Sequence, residues 1–226
     1  MRRNISIAII TLIILIAIAL IWVAVQPPDS PNLEASIINA QDFELPAIGF
    51  ARVDDSYEWE FPRDVGPHPQ FQREAWQLET SSDSCSFQLN MLFNRTSILP
   101  PNLNFDRSSD WAISSILNAT LTLSNNDQTL IETDRSSRIA LDLAGADDNH
   151  VWLENWSLDW QNGHFTLTDN NIEIRLTLTL DSPDSPSTSD QTYAYQQSGR
   201  ASGPFTLDND TRTLDCPITL THRFGA

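Results

Sequence analysis

From about residue 85 onward, apolar and polar residues alternate with period two, in short runs separated by turn-forming residues. "FQLNMLF" sets Phe87, Leu89, Met91 and Phe93 against Gln88 and Asn90. "ILNATLTL" puts Leu117, Ala119, Leu121 and Leu123 on one face, with Asn118, Thr120 and Thr122 on the other. "IEIRLTLTL" is the clearest case, with Ile172, Ile174, Leu176, Leu178 and Leu180 against Glu173, Arg175, Thr177 and Thr179. "VWLENWSLDW" reads as one strand with Trp152, Trp156, Leu158 and Trp160 on a common side, and "QTYAYQ" and "PITLTH" are weaker strands. The links between them, among them "LPPNLNFDRSSD", "SNNDQ", "GADDNH", "QNGH" and "DSPDSPSTSD", are rich in Pro, Gly, Asn, Asp and Ser. Alternation with one buried face marks antiparallel strands, and this punctuation predicts an all-β antiparallel barrel or sandwich. Beyond residue 25 no amphipathic helix or internal repeat is visible.

The N-terminal pattern is different. A basic head, residues 1–4, precedes an uncharged apolar run from Ile5 to Val25. Crossing a bilayer core takes about 20 apolar residues, so this run predicts a transmembrane signal anchor. A cleaved export signal is the competing reading, but Trp22 two positions before Ala24 fits a small-x-small cleavage site poorly. The positive-inside rule then places the rest outside the cytoplasm: a single-pass protein of the inner membrane, with residues 26–45 as a Pro-containing linker and 46–226 as a domain in the periplasm or cell exterior.

Charge and cysteines narrow the picture. The net charge is −17, and all thirteen basic residues are arginine. Such a surface repels phosphate backbones and argues against nucleic-acid binding. Cys85 and Cys216 pair in an oxidising compartment, contributing about 4–5 kcal/mol in the chain-entropy model, or else are two buried thiols. His68, His150, His164 and His222 are far apart in sequence, and no metal motif or cofactor-binding loop is expected. "DNDTRTLD" (208–215) lacks the glycine of a calcium loop, and "GRASG" (199–203) is not a nucleophile elbow. Asn94, Asn118, Asn155 and Asn209 each open an Asn-x-Ser/Thr triplet.

"FPRDVGPHPQFQREAW" (61–76) has neither helical nor strand period. Pro62 and Pro67 cannot donate to a ladder, and Gly66-Pro67 favours a turn. Arg63, Asp64, His68 and Glu74 are expected to converge at a barrel mouth. Two readings stay open there. A carboxylate pair beside a histidine does acid–base work if burial shifts its pKa values; alternatively the segment is a salt-bridged corner, with Phe71 and Trp76 plugging the barrel end.

The residues "GFARVDDSYEWEFPRDVGPHPQFQREAW" (49–76) resemble the N-terminal motif of the AttH and carotenoid 1,2-hydratase (hydroxyneurosporene synthase) family. "ALDLAGADDNHVWLENWSL" (140–158) and "NNIEIRLTLTLDSPDSP" (170–186) are similar to later segments of that family, in the same order. Asp64, Gly66, His68, Pro69, Phe71 and Glu74 match the motif, while Ala75-Trp76-Gln77 departs from its Trp-Trp-Tyr run. The resemblance implies a lipocalin-like barrel, in a family with two such domains in tandem. Its members are exported or membrane-associated; some hydrate acyclic carotenoids, and others are encoded beside permeases of an export-type ABC transporter. The motif of the second domain, where the hydratase acid–base residues are expected, is not in this sequence.

The resulting expectation is a membrane-anchored, extracytoplasmic lipocalin-like domain that binds a lipid or isoprenoid, with an ABC-transporter permease as a partner to test and no cofactor. Trp76, Phe87, Trp152 and Trp156 are its candidate ligand-lining residues. The alternatives are a hydratase or hydrolase working through Asp64, His68 and Glu74, and a half-barrel module that dimerises or pairs with a separate second domain.

Overall fold

The structure, a computed structural model, describes residues 48–80, 85–103, 114–125, 128–169, 171–189 and 191–225. The expected anchor, residues 5–25, lies outside these. Among the described residues no helix is long and apolar enough to cross a membrane.

Among the described residues twelve antiparallel strands form one sheet: β1 (Arg73–Thr80), β2 (Phe87–Ser97), β3 (Ser115–Asn125), β4 (Gln128–Arg138), β5 (Ala144–Ala146), β6 (His150–Leu153), β7 (Trp156–Asp159), β8 (His164–Asp169), β9 (Ile172–Leu180), β10 (Asp184–Ser189), β11 (Thr192–Leu207) and β12 (Asp210–Gly225). Their order is β4-β3-β2-β1-β12-β11-β9-β8-β7-β6-β5, with β10 paired to β11 beside this path. β3 and β4 come against β6 near the far end of the order, so the sheet curls into a nearly closed barrel. The all-β expectation holds.

The alternating faces turn inward as the sequence predicts. Leu89, Met91 and Phe93 of β2, Leu117 to Leu123 of β3, and Ile172 to Leu178 of β9 are buried at alternate positions. Trp76, Trp156, Phe165 and Phe205 complete an interior filled by side chains. Each such side chain contributes about 1.5–3 kcal/mol by leaving water.

Four details differ from the sequence reading. "VWLENWSLDW" is two strands, because the chain turns at Glu154 (φ 52) and Asn155. Pairing Leu153 with Trp156 and Val151 with Leu158 puts these four inside, while Trp152 points to the opposite face. The weak "QTYAYQ" and "PITLTH" grow into the longest strands, sixteen residues each. They are joined by a two-residue turn at Asp208 (φ 50) and Asn209 (φ 68), the left-handed pair that a tight hairpin requires. β10, which the pattern left as a link, and β4, which it left unread beyond Gln128, lie at edges where little or nothing is buried. Without a buried face there is no period to read.

Cys85 and Cys216 are joined, with Cα atoms 5.7 Å apart and a sequence separation of 131. β1 pairs with β12 only as far as Thr80 against Ile218. The disulfide therefore ties the β1–β2 connection to the part of β12 that projects past β1. Removing a native disulfide costs about 2–5 kcal/mol, so C85S/C216S is expected to melt about 5–20 °C lower than the parent. Differential scanning calorimetry of both proteins without reductant checks this; equal Tm values would show that the bridge adds nothing.

Candidate functional site

One end of the barrel is different from the rest. There the inward positions of neighbouring strands change from apolar to charged. Glu74 of β1 faces Arg95 of β2 and Phe224 of β12, and Trp76 faces Phe93 and His222. His222 is in turn opposite Tyr195 of β11. Glu74 and His222 are thus diagonal neighbours on one face, within reach of each other's side chains.

The chain before β1 closes this end. Asp64 and Arg63 lie in a single 3-10 turn, Arg63–Val65. Asp64 Oδ2 accepts the Glu60 N–H at 2.7 Å, and Arg63 Nε donates to Asp64 Oδ1 at 2.8 Å. The chain then lays His68 over Phe224, the two rings stacked at 3.6 Å. Tyr57, Trp59 and Phe71 pack on Tyr193 and Phe224 as a second apolar cluster. Gln72 passes the chain onto β2 through its carbonyl, which accepts the Ser97 N–H at 2.8 Å.

At the centre is the Glu74 carboxylate, 1% exposed. Its Oε1 accepts the His68 backbone N–H at 2.8 Å, His68 Nδ1 at 3.1 Å and His222 Nε2 at 2.9 Å. Arg95 Nη2 stands 2.7 Å from Oε2 as an ion pair and also donates to the His68 carbonyl at 2.9 Å. Burial pushes this carboxyl up, but Arg95 and the two imidazoles outweigh it and hold it at about 2. An ionised carboxylate only accepts, so the proton of His222 is on Nε2, and Nδ1 is left to accept from the Tyr195 hydroxyl at 3.3 Å. Burial lowers the His222 pKa despite Glu74, keeping the imidazole neutral. Burial, with the charges of Glu74 and Asp64, raises the Tyr195 phenol and keeps it protonated. Burial also pushes the Asp64 carboxyl up, but Arg63 and the Glu60 N–H hold it below its ordinary range. On the far side of His222, Trp76 stacks at 5.0 Å and Trp160 stacks on Trp76.

His68, Glu74 and His222 bring ligand atoms within 4.8 Å of one another. Two imidazoles and a carboxylate suit zinc or iron(II). The contacts already made argue otherwise: a divalent ion would have to replace two N–H protons on Glu74 Oε1 next to a fixed guanidinium. The arrangement holds protons.

The expected convergence of Arg63, Asp64, His68 and Glu74 is present. His68 and His222, far apart in sequence, meet on the Glu74 carboxylate. Arg95, His222 and Tyr195 escaped the sequence reading, although a signal existed. Arg95 continues the inward parity of Phe87 to Phe93, and His222 that of Ile218 and Leu220; a charged residue at a buried parity is the mark.

The aromatic candidates separate. Trp76 and Trp156 are core and Phe87 packs edge-on against Phe205, so none of these three lines a described cavity. Trp152 does. Its indole lies on β5, where a Cβ on Gly145 would be 2.5 Å from the ring, and its Nε1 donates to the Asp142 carbonyl at 3.2 Å. It walls a cavity of about 350 Å³ with Leu99, Pro101, Ile139 and Ala144, while Arg95, Ser97 and Ser115 supply polar groups. Above it, Leu141 (φ 56) and Asp142 (φ 60) hold left-handed backbone, which costs a side-chain-bearing residue about 1–2 kcal/mol. A second cleft of about 370 Å³ is lined by Tyr57, Arg63, Asp64 and His68.

The AttH-like family model matches residues 52–206. A crystal structure of a Nitrosomonas europaea protein described as an AttH superposes with a TM-score of 0.62 at 16% identity, over 78% of this chain. This chain spans 58% of that protein's length, and at this identity the likeness is one of fold. No curated protein matches the chain.

The network sets the pH response. Glu74 and His222 both have lowered pKa values, so the unfolded chain binds more protons and stability rises with pH. The His222 share is lost as pH falls below 6.5, and the Glu74 share between 4.5 and about 2. The Glu74 shift corresponds to about 3 kcal/mol. E74Q leaves Arg95 buried without its counter-charge and is expected to lose about 3–5 kcal/mol at neutral pH, with a flatter decline between pH 4.5 and 2. Urea titrations across pH check both; a parent-like acid limb in E74Q would remove Glu74 from the account.

Proposed function

The chain belongs to the AttH-like family, and from the geometry of this barrel end we propose that the domain binds one small amphipathic molecule, apolar in its body, as a membrane-anchored extracytoplasmic module. The observation that carries this reading is the cavity of about 350 Å³. Its wall of Leu99, Pro101, Ile139 and Trp152 is apolar, and Arg95, Ser97 and Ser115 offer polar contacts at one side. That mixture, at a volume near the low end of the roughly 300–1,000 Å³ usual for small-molecule sites, suits a short apolar chain or a ring with a polar head. It is far too small for an acyclic carotenoid taken whole. The filling of the barrel interior by its own side chains supports a ligand at the barrel end, in the cavity that Trp152 lines.

A second reading draws on the other cleft. Asp64 and His68 line it, and His68 leads through Glu74 to His222, a chain of proton-holding groups reaching a surface. A hydratase or hydrolase working there requires turnover that D64N loses; an added hydrophobic alkene or ester returned unchanged by the parent would speak against it.

The binding reading is tested with 8-anilinonaphthalene-1-sulfonate, an apolar anion, titrated into the full chain and into A140W. Ala140 lines the cavity, and an indole there fills it. Saturable binding by the parent, weakened at least about tenfold in A140W (about 1.4 kcal/mol) with the melting transition retained, is the expected result. Equal affinity in the two proteins would place the probe elsewhere and remove the cavity from the reading.

A further inference from the structure

Among the described residues three large apolar side chains are exposed: Ile48 (78%), Leu141 (45%) and Leu143 (47%). None of the three lines the 350 Å³ cavity itself, but each lies next to chain that does. Leu141 and Leu143 flank Asp142, which lines it. Ile48 precedes Gly49, whose Cα packs so closely on Pro100 that an added Cβ would be 2.9 Å from its ring. Leu99 and Pro101, on either side of Pro100, line the cavity too. The loop carrying the leucines is pinned by the Trp152 indole on the Asp142 carbonyl, and the left-handed backbone at Leu141 holds it in that shape.

We propose that this rim is a lipid-docking lip: Ile48, Leu141 and Leu143 rest on a bilayer surface, and the cavity opens toward the membrane from which its ligand comes. The proposal rests on the anchor and ligand readings above. The occupant is identified by where the chain leads. Ile48, whose neighbour Gly49 packs on Pro100, is joined through residues 26–47 to the uncharged run Ile5–Val25. A linker of that length spans at most about 75 Å, so an anchored chain keeps the rim close to the bilayer. Three apolar side chains bind a free membrane weakly. Tethering raises their effective concentration to about the millimolar range, where weak contact suffices. The net charge of −17 opposes anionic lipid, so the preferred surface is zwitterionic.

The test uses the full chain reconstituted in phosphatidylcholine nanodiscs, with benzoylphenylalanine replacing Leu143 in one preparation and Thr211, at the opposite end of β12, in another. After photolysis, position 143 is expected to give several-fold more phospholipid adduct than position 211, and L141S in the same chain to reduce it. Little adduct at 143, or equal adduct at both positions in chains that have entered the discs, overturns the lip while leaving the anchor intact. Adducts to protein at 143 overturn it in favour of a protein interface. A chain that does not enter the discs refutes the anchor; the same 143 preparation is then irradiated with free phosphatidylcholine vesicles, where lipid adducts support the lip and their absence overturns it. Binding of 8-anilinonaphthalene-1-sulfonate by L141S/L143S in solution is expected to equal the parent's, which separates failure of the lip from failure of the ligand site.

Discussion

A single negative charge inside a barrel organises this end of the molecule. An ionised carboxylate moved into a protein interior loses several kcal/mol of solvation even after relaxation, and Glu74 is almost wholly buried. It stays ionised because four groups meet it: the His68 amide, two imidazoles and the Arg95 guanidinium. They come from the segment before β1, from β2 and from β12. The charge therefore fixes the chain entering the barrel against strands that are distant in sequence. Removing any partner leaves part of the charge unmet, so the corner and the barrel end hold each other in place.

This dependence explains how the segment 61–72 can be so irregular. Pro62, Gly66, Pro67 and Pro69 give up ladder hydrogen bonds, and what orders them is side-chain chemistry: Asp64 on the Glu60 N–H, Arg63 on Asp64, His68 stacked on Phe224. The two readings of this stretch are not exclusive in geometry. The network fastens the corner, and its outermost members, Asp64 and His68, also border a cleft. What favours fastening is that Glu74 and His222 are sealed from solvent, with Trp76 and Tyr195 against His222. A general base must reach its substrate, and these two do not reach the cleft.

The sequence made most of the barrel legible, because β2, β3 and β9 bury one face and period two records it. It was silent for β4 and β10, whose edges bury little, and misleading for Trp152, because one turn at Glu154 and Asn155 reverses the parity of everything after it. For the site, the conspicuous residues were readable: a Pro- and Gly-rich corner with Asp64, His68 and Glu74 stands out locally. Their partners Arg95 and His222 were hidden by apparently ordinary strands. Each ends an alternating apolar series with a polar side chain on the inward face, and only strand pairing says that both series end at the same place.

The filled interior has a consequence for where a barrel of this kind can meet a small molecule. In a barrel whose inner positions are all side chain, a ligand can enter only by displacing core, at about 1.5–3 kcal/mol for each large residue exposed, or by using space left where the ladders stop. Here the ladders stop at the charged end. β2 ends at Ser97, β3 begins at Ser115, and β4 hands over to β5 through the left-handed turn at Leu141 and Asp142. The space between these ends is the cavity beside Arg95, whose guanidinium is already held by Glu74 and the His68 carbonyl. The wall of the candidate binding site is thus set by the same buried charge that closes the barrel, which makes corner, network and cavity one structural unit.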